Sequence, residues 1–557
     1  MNFYQDEPQF RALLKELLDE EFFKYADREL EAFGEKCANE IDQRARFTDR
    51  EGQPKLIKFD AYGEDISEVW VNEGYRRTVE ESYNTGIVGF VHKEIPELGR
   101  KGNYIYSYAQ GYLLSQTEPG FYCPVTLTMA TAYLLDEYAS PELKEKFLPH
   151  VLSTGETTLF EGATFLTERQ GGSDVGANLV KAVKAKDGYK LYGEKYFASN
   201  AGMCGVAMVL ARKEGAAAGT KGLTLFAVPW RNEDGSLNGI KIRRLKDKLG
   251  VKAVPSAEVE FEGAQAYVVG DPSKGFYYMM EALNLSRVCN TVASLGIMRR
   301  AYSEASQYAF KRDAFGKKLA DFPMVKDSLV KMAVKLEVET RTLFKYLPLF
   351  EKVMRNEAGV TEKDVVLNRL YIALLKKETA EQAVHFAHEA IEMHGGNGYI
   401  EDFVTPRLLR DAQVLTVWEG TANILGLEVL RLLEKFNAGE LFLQEMKTRI
   451  STIHGKFAEQ VHTGMEQLAK LLTALEQATP DHKTFHSKRV AELMVNIFES
   501  VTALEYAASG DQRAPKVMEV YIEHTWETPY TFKQNMKTVD YFTDLVQVTN
   551  LEKIGLS

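Results

Sequence analysis

Residues 161–270 stand apart from the rest of the chain. Here the sequence breaks into short runs rich in β-branched and aromatic residues: "GYKLYGEKYFASNA", "VAMVLARK", "GLTLFAVPW", "GIKIRRL" and "SAEVEFEGAQAYVV". Between them lie the turn-forming stretches "KDG", "EGAAAGTKG" and "NEDGSLNG". Regular short strands with such turns predict an antiparallel barrel or sandwich. On both sides the apolar residues return to helical spacing, as in "DEPQFRALLKELLDEEFFKYADREL" before it and "LYIALLKKETAEQAVHFAHEAIEMHGG" after it. Ser140 followed by Pro141 predicts a capped helix start.

With 557 residues the chain is too long for one core, because single cores stop growing near ~250–300 residues. The reading is α+β and multidomain: a helical domain at 1–160, a β domain at 161–270, a four-helix bundle at 271–435 and a helical extension at 436–557. No uninterrupted apolar stretch reaches the ~20 residues that span a bilayer. The acidic N-terminus "MNFYQDEPQFRALLKELLDEEF" lacks the pattern of a secretory signal or a transit peptide. Four scattered cysteines without a CxxC pair read as reduced thiols, hence a cytoplasmic protein. A net charge of −11 argues against broad nucleic-acid binding.

Four stretches can carry chemistry. "FLTERQGGSD", residues 165–174, gathers hydroxyls and exposed backbone N–H groups that can bind a phosphate or a flat heterocycle, or simply turn the chain. "KYFASNA", residues 195–201, offers a stacking ring and a hydroxyl, or a plain strand end. In "FKRDAFGKKLADFPMV", Arg312 can pair with a pyrophosphate while Phe315 covers an adenine; the bland reading is a basic helix C-cap. "EMHGGNGYIEDFVTPRLLRDAQVLTVWEGTAN" holds the Gly395–Gly396 loop and a lone carboxylate, Glu419, between Trp418 and Gly420. His385, His388 and Glu392 have spacings that suggest a metal. No zinc signature such as HExxH accompanies them, so no metal site is expected.

In this order the motifs resemble the acyl-CoA dehydrogenase family of flavoenzymes, from about residue 100 to 435. The flanking extensions look most like its AidB-like, alkylation-response branch. The resemblance implies FAD lying between the β domain and the helical bundle. Leu166 and Thr167 would meet the flavin, with Ser173 near the cofactor pyrophosphate or the CoA. Phe197 and Ser199 stand where the family has W-x-T. Arg312, Phe315, Glu392, Gly395 and Gly396 would bind the ADP half of a neighbouring subunit's FAD, which implies a homo-oligomer, most often a tetramer built as a dimer of dimers. Thr421 and Asn423 would contact FAD. Ser173, Arg287 and Gly420 would contact the thioester.

Glu419 matches the family's catalytic base. The implied reaction is α,β-dehydrogenation of an acyl-CoA, with an electron-transfer flavoprotein as acceptor. An acid at this point could also serve only as a helix-start residue. Some members carry the base on an earlier helix, but the matching position here is Ser286. Two other readings stand beside this one. A DNA-binding, alkylation-protecting role calls for a basic C-terminal region, whereas residues 436–557 carry 12 Lys/Arg and 16 Asp/Glu, a net −4. An oxidase differs in oxygen access to the flavin. The nitroalkane type would carry Asp in place of Glu419. The helix containing "GFYCPVTLTMATAYLL", residues 120–135, is expected to line the acyl pocket and to admit a medium or long chain.

Overall fold

The computed structural model describes residues 1–527 and 535–547. The chain divides into two compact units: residues 1–4 with 20–289, and residues 5–19 with 290–557.

The first unit joins helices to a β domain. Its helices start where side chains supply the missing acceptors. Asn72 accepts from Tyr75 N (2.9 Å) before helix Glu73–Tyr83, and Asn103 from Tyr106 N (2.8 Å) before helix Tyr104–Ser115. Ser140 caps helix Pro141–Val151, with Pro141 at its first position, as the sequence predicts. Helix Pro119–Tyr138 is almost wholly buried along residues 119–135. Two features fall outside a purely helical reading of residues 1–160: the ribbon β1 (Lys55–Phe59) with β2 (Asp65–Trp70), and the short pair β3 (Glu94–Ile95) with β4 (Arg100–Lys101).

The β domain holds seven strands: β5 (Gly162–Phe165), β6 (Lys181–Ala185), β7 (Gly188–Ser199), β8 (Val206–Lys213), β9 (Leu223–Pro229), β10 (Ile240–Leu245) and β11 (Ser256–Val268). Strand β9 pairs with both β8 and β11, which closes β11, β7, β6, β8 and β9 into a barrel. Most pairs are antiparallel. The exceptions are β5–β8 and β6–β8, which run parallel. The chain between β5 and β8 runs through β6 and β7, which gives the long crossover that a parallel pair needs.

The second unit is helical. Its long helices are residues 290–311 of Gly275–Lys311, Pro323–Met354 and Glu362–His394, followed by Thr405–Leu415 and Ala422–Phe436. The N-terminal helix Pro8–Leu17 belongs here. It buries Phe10, Leu13 and Leu14, and Phe10 meets Phe344 edge-on at 5.0 Å. Glu7 pairs with Arg299 at 3.4 Å. An amphipathic stripe must find an apolar face, and sequence proximity does not choose which. Helices after residue 436 share this unit's core: Phe498 stacks on Tyr371 at 4.3 Å, and Trp526 donates to Ser500 Oγ at 3.0 Å. Residues 528–534 and 548–557 of the expected extension lie outside the described residues. Among the described residues no helix is long and apolar enough to cross a membrane.

Candidate active site

In the first unit the "FLTERQGGSD" loop leaves β5 and is pinned at Leu166. The Leu166 carbonyl accepts from Asn178 Nδ2 at 2.8 Å and from Lys195 Nζ at 3.1 Å. Lys195, 1% exposed, also meets Glu168 Oε1 at 2.8 Å. The Glu168 carboxylate accepts further bonds from Leu179 N (2.5 Å) and Val180 N (3.2 Å). Burial pulls the Lys195 ammonium's pKa down, against the opposing pull of Glu168. Next to this buried pair stands Thr167, whose carbonyl accepts from Tyr196 N at 3.0 Å. Gly172 closes the loop: a Cβ there would come 2.6 Å from Thr167 Oγ1. Ser173 is exposed.

That backbone bond joins Thr167 to the outer end of β7. Phe197 stands out from this strand, 54% exposed. Lys246 Nζ lies 3.3 Å from the Tyr196 ring centre and 4.9 Å from that of Phe197, so both rings are backed by a cation. Ser199 Oγ meets Ser256 Oγ at 3.0 Å across the β7–β11 pair. The structure therefore brings Leu166, Thr167, Phe197 and Ser199 together. Arg287 is nearly buried on helix Gly275–Lys311, with Nη1 donating to Asn284 Oδ1 at 3.1 Å.

In the second unit the helix ends at Lys311, and residues 313–318 form a hairpin, β12 (Asp313–Ala314) with β13 (Lys317–Lys318). Arg312 follows the helix end directly, its N–H bonding Tyr308 O at 2.9 Å, whereas Phe315 lies beyond the helix end in the hairpin. Phe315 (φ 52°) and Gly316 (φ 81°) form the two-residue tip, because a tight hairpin turn requires positive φ at both central positions. Phe315 is 97% exposed. The "HGGNG" loop lies beside the end of the same helix. Asn397 Nδ2 donates to Tyr308 Oη at 3.1 Å, and the His394 ring lies 4.1 Å from the Tyr308 ring. Burial lowers the His394 pKa, and its Nδ1 is 2.7 Å from Ala390 O. Gly395 and Gly396 are exposed, with open space where a Cβ would stand. Glu392 is exposed one turn earlier. Arg312, Phe315, Glu392 and the two glycines thus share one end of the unit.

Glu419 sits in the turn between helices Thr405–Leu415 and Ala422–Phe436. Its φ is 59° and that of Gly420 is 105°. A left-handed conformation costs a non-glycine residue about 1–3 kcal/mol and persists only where the surroundings impose it. Its Oε2 is shielded from solvent. The turn is held at both ends: Asn290 Nδ2 donates to Leu415 O at 3.2 Å, and Lys376 Nζ to Gly420 O at 2.7 Å. Thr421 is the N-cap of the following helix, and Asn423 is exposed in its first turn. Glu419 thus precedes the helix N-cap by two residues and does not lie in the first turn.

His385 and His388 have ring centres 6.5 Å apart, and Glu392 does not join them in a ligand set. Among the described residues, the carboxylate group with metal-ligand spacing is Glu339, Glu378 and Glu499. Lys335 Nζ already fills it, at 3.0, 2.9 and 2.8 Å.

Three family domains match the chain: the AidB N-terminal domain over residues 1–155, the acyl-CoA dehydrogenase middle domain over 163–264 and its C-terminal domain over 273–433. Acyl-CoA dehydrogenase family member 11 of Caenorhabditis elegans is 32% identical over 555 residues, covering 95% of this chain and 88% of its own. The chain belongs to the acyl-CoA dehydrogenase family. The putative acyl-CoA dehydrogenase AidB of Escherichia coli is 31% identical, covering 75% of this chain and 76% of its own. The crystal structure of C. elegans ACDH-11 in complex with C11-CoA superposes with a TM-score of 0.86 at 30% identity, covering 95% of this chain and 92% of that one. An acyl-CoA dehydrogenase is an oxidoreductase acting on CH–CH bonds, and its cofactor is FAD.

The residues fit that cofactor. An exposed ring beside the Thr167 loop suits a flat heterocycle, and open glycines beside an exposed arginine and phenylalanine suit an ADP moiety. Sequence reasoning missed Lys195 and Lys376. The signal for Lys376 was a charge directly after the apolar run "LYIALL", residues 370–375, whereas Lys195 stands between half-buried Glu194 and Tyr196 and carried no such signal.

Proposed function

We propose that this protein carries out α,β-dehydrogenation of an acyl-CoA thioester with Glu419 as the base. The observation that carries this reading is the turn holding Glu419. A carboxylate on a left-handed backbone, clamped on both sides and with one oxygen shielded from water, is an acid presented at a cost in stability. A residue that served only to start a helix would need no such turn.

In this reading Glu419 takes the α-proton onto its carboxylate as the carbon–carbon double bond forms. When bound, FAD supplies the acceptor at N5 for the hydride leaving the β-carbon. The α C–H is a poor acid, so the thioester oxygen must be stabilised as charge develops, and the backbone N–H of Glu419 is assigned to it. Thr167, Phe197 and Ser199 hold the flavin ring. Thr421 and Asn423 add further contacts to the cofactor. Ser173, Arg287 and Gly420 orient the CoA ester. Arg312, Phe315, Glu392, Gly395 and Gly396 serve the ADP half of FAD in a neighbouring subunit, which makes the working protein at least a dimer and, in the family's usual form, a tetramer. An electron-transfer flavoprotein takes the electrons onward.

A medium-length acyl chain is proposed, since the C. elegans relative is complexed with C11-CoA. Free thiols at Cys37, Cys123, Cys204 and Cys289 agree with a reducing, cytoplasmic setting. The net charge of −4 over residues 436–557 counts against DNA as a partner.

The test is an anaerobic titration of the purified holoprotein with acyl-CoAs of graded length, followed through the visible spectrum. Bleaching of the flavin by one thioester, slowed about 10²–10⁴-fold in Glu419→Gln with FAD retained, is the expected outcome. A yellow protein that no thioester bleaches would overturn the reading.

A further inference from the structure

We propose that Lys376 is the positioning residue of the Glu419 turn: its ammonium, through the Gly420 carbonyl, holds the base in the conformation that removes the α-proton. This inference rests on the reading of Glu419 as the base.

Three observations carry it. Lys376 sits in the middle of helix Glu362–His394, in a run of eleven consecutive buried residues (370–380), and is 1% exposed. A lysine in such a place needs a structural or functional return, since ammonium groups are seldom buried without one. Its Nζ donates to Gly420 O at 2.7 Å, a short, charge-assisted bond. That carbonyl directly follows a pair of residues with positive φ, Glu419 and Gly420. Strained backbone persists where its neighbours over-determine it, and this bond does so from the C-terminal side.

Lysine is suited to the task by its reach. A four-carbon stem carries a compact cation from a rigid helix axis to a loop carbonyl, and three rotatable donors tolerate small shifts of that carbonyl. Asn290 Nδ2, on Leu415 O, fixes the N-terminal side of the same turn with a neutral bond of 3.2 Å. The two anchors bracket residues 416–419, so the direction in which Glu419 points is set by side chains from two other helices. Loss of the lysine would let the turn relax toward an ordinary backbone and swing the carboxylate away from its working orientation.

The test compares the holoprotein with Lys376→Met, Lys376→Gln and Glu419→Gln. Two rates are read: flavin reduction at saturating acyl-CoA, and deuterium exchange from solvent into the α-carbon of an acyl-CoA whose β-carbon is replaced by sulfur. The sulfur analogue has no β-hydrogen to lose, so its exchange reports proton removal alone.

Lys376→Met is expected to lower both rates about 10²-fold, the cost of displacing a reacting group by about an ångström. FAD content and thioester affinity should stay within about 2-fold. Lys376→Gln, which keeps an N–H donor, is expected to recover part of the loss. Wild-type exchange per bound FAD in Lys376→Met would overturn the inference. So would a loss of FAD or fold in both lysine variants that accounts for all the lost rate, since the lysine would then be structural. Glu419→Gln separates the two readings. Wild-type exchange in that variant overturns the base itself, whereas its loss beside an unaffected Lys376→Met removes the positioning role alone.

Discussion

Lys195 in the first unit, buried, and Lys335 in the second, half-buried, are both amines held by carboxylates, but they keep different company. Lys195 faces a single acid, Glu168, whose oxygens are also claimed by two backbone N–H groups. Lys335 faces three, Glu339, Glu378 and Glu499, and Tyr521 Oη donates to Glu499 as well. One site balances one charge with another. The other has more acids than a single ammonium can neutralise.

The pKa directions follow from this. Burial lowers Lys195 and Glu168 recovers only part of the loss. Burial acts on Lys335 too, but Glu378 and Glu499 outweigh it, and its pKa rises well above the usual lysine range. Among the three acids, burial would raise Glu378, yet the Lys335 charge wins and holds it ionised. Burial raises Glu339 and Glu499 against the pull of Lys335, with repulsion from Glu499 and Glu378 adding to the rise at Glu339 and repulsion from Glu378 to that at Glu499. Burial and repulsion therefore favour a proton held on Glu339 in the folded state. A buried lysine with one acid is a clamp for a loop. A half-buried lysine with three acids is a joint whose charge depends on pH.

The comparison can be broken most severely at Lys335. Lys335→Met leaves three buried carboxylates with no cation, and a loss at the top of the range of about 3–5 kcal/mol for a broken buried pair is expected at neutral pH. Protonation relieves that repulsion, so denaturation midpoints of this variant should partly recover as pH falls toward about 4.5, the value of the unfolded carboxyls. Glu339→Gln sharpens the same point with the opposite sign. An acid whose folded pKa is raised contributes stability below its unfolded value and loses it as pH rises, so this variant should gain on the wild type as pH climbs above about 4.5. A pH-independent difference would refute the stored proton.

Next in size is Lys195→Met. Removing one partner of a buried pair costs about 3–5 kcal/mol, and urea denaturation would measure it. FAD retention should fall with it, since the Leu166 carbonyl loses one of its two donors. The double change Lys195→Met with Glu168→Leu should return much of the stability and none of the loop order. A loss under about 1 kcal/mol in the single variant would mean that the lysine is filler.

Glu161 offers the first unit's own pH test. Buried, with Tyr83 Oη (3.1 Å) donating to it, its carboxyl is pushed up to about 7. Raised from an unfolded value near 4.5, it contributes stability at low pH that is lost between about pH 4.5 and 7, by up to ~3 kcal/mol. Glu161→Gln should flatten the stability profile over that window and leave it unchanged below. The smallest expected effect on folding is at Phe315. Phe315→Ala at an exposed hairpin tip should change stability by less than about 0.5 kcal/mol, while the protein's affinity for FAD drops. Unchanged cofactor affinity would remove Phe315 from the proposed ADP site.

Much of the fold was legible because element type is a local property. Helical spacing, the Ser140–Pro141 start and the "KDG" turn between β6 and β7 all state their structure within a few residues. The motif residues were legible for the same reason, as with Leu166, Thr167, Phe197 and Ser199, which the fold gathers on one side of the barrel. The Arg312–Phe315 stretch was read as a helix end because a basic residue before Gly resembles a C-cap. The hairpin turn it forms depends on Lys317 and Lys318 pairing back across the tip.

By itself, then, the sequence determined the succession of helical and β segments and the identity of the residues that mark the family, since both reside in short windows. Tertiary structure alone decided that residues 5–19 pack with residues 290–557, that β5 and β6 each join β8 in parallel, and that Lys195 and Lys376 reach the two loops beside which Thr167 and Glu419 stand. Each of these joins groups tens to hundreds of residues apart. Such partners are chosen by which apolar face is left to cover and which buried carbonyl is left to satisfy, and those demands exist only once the chain is folded.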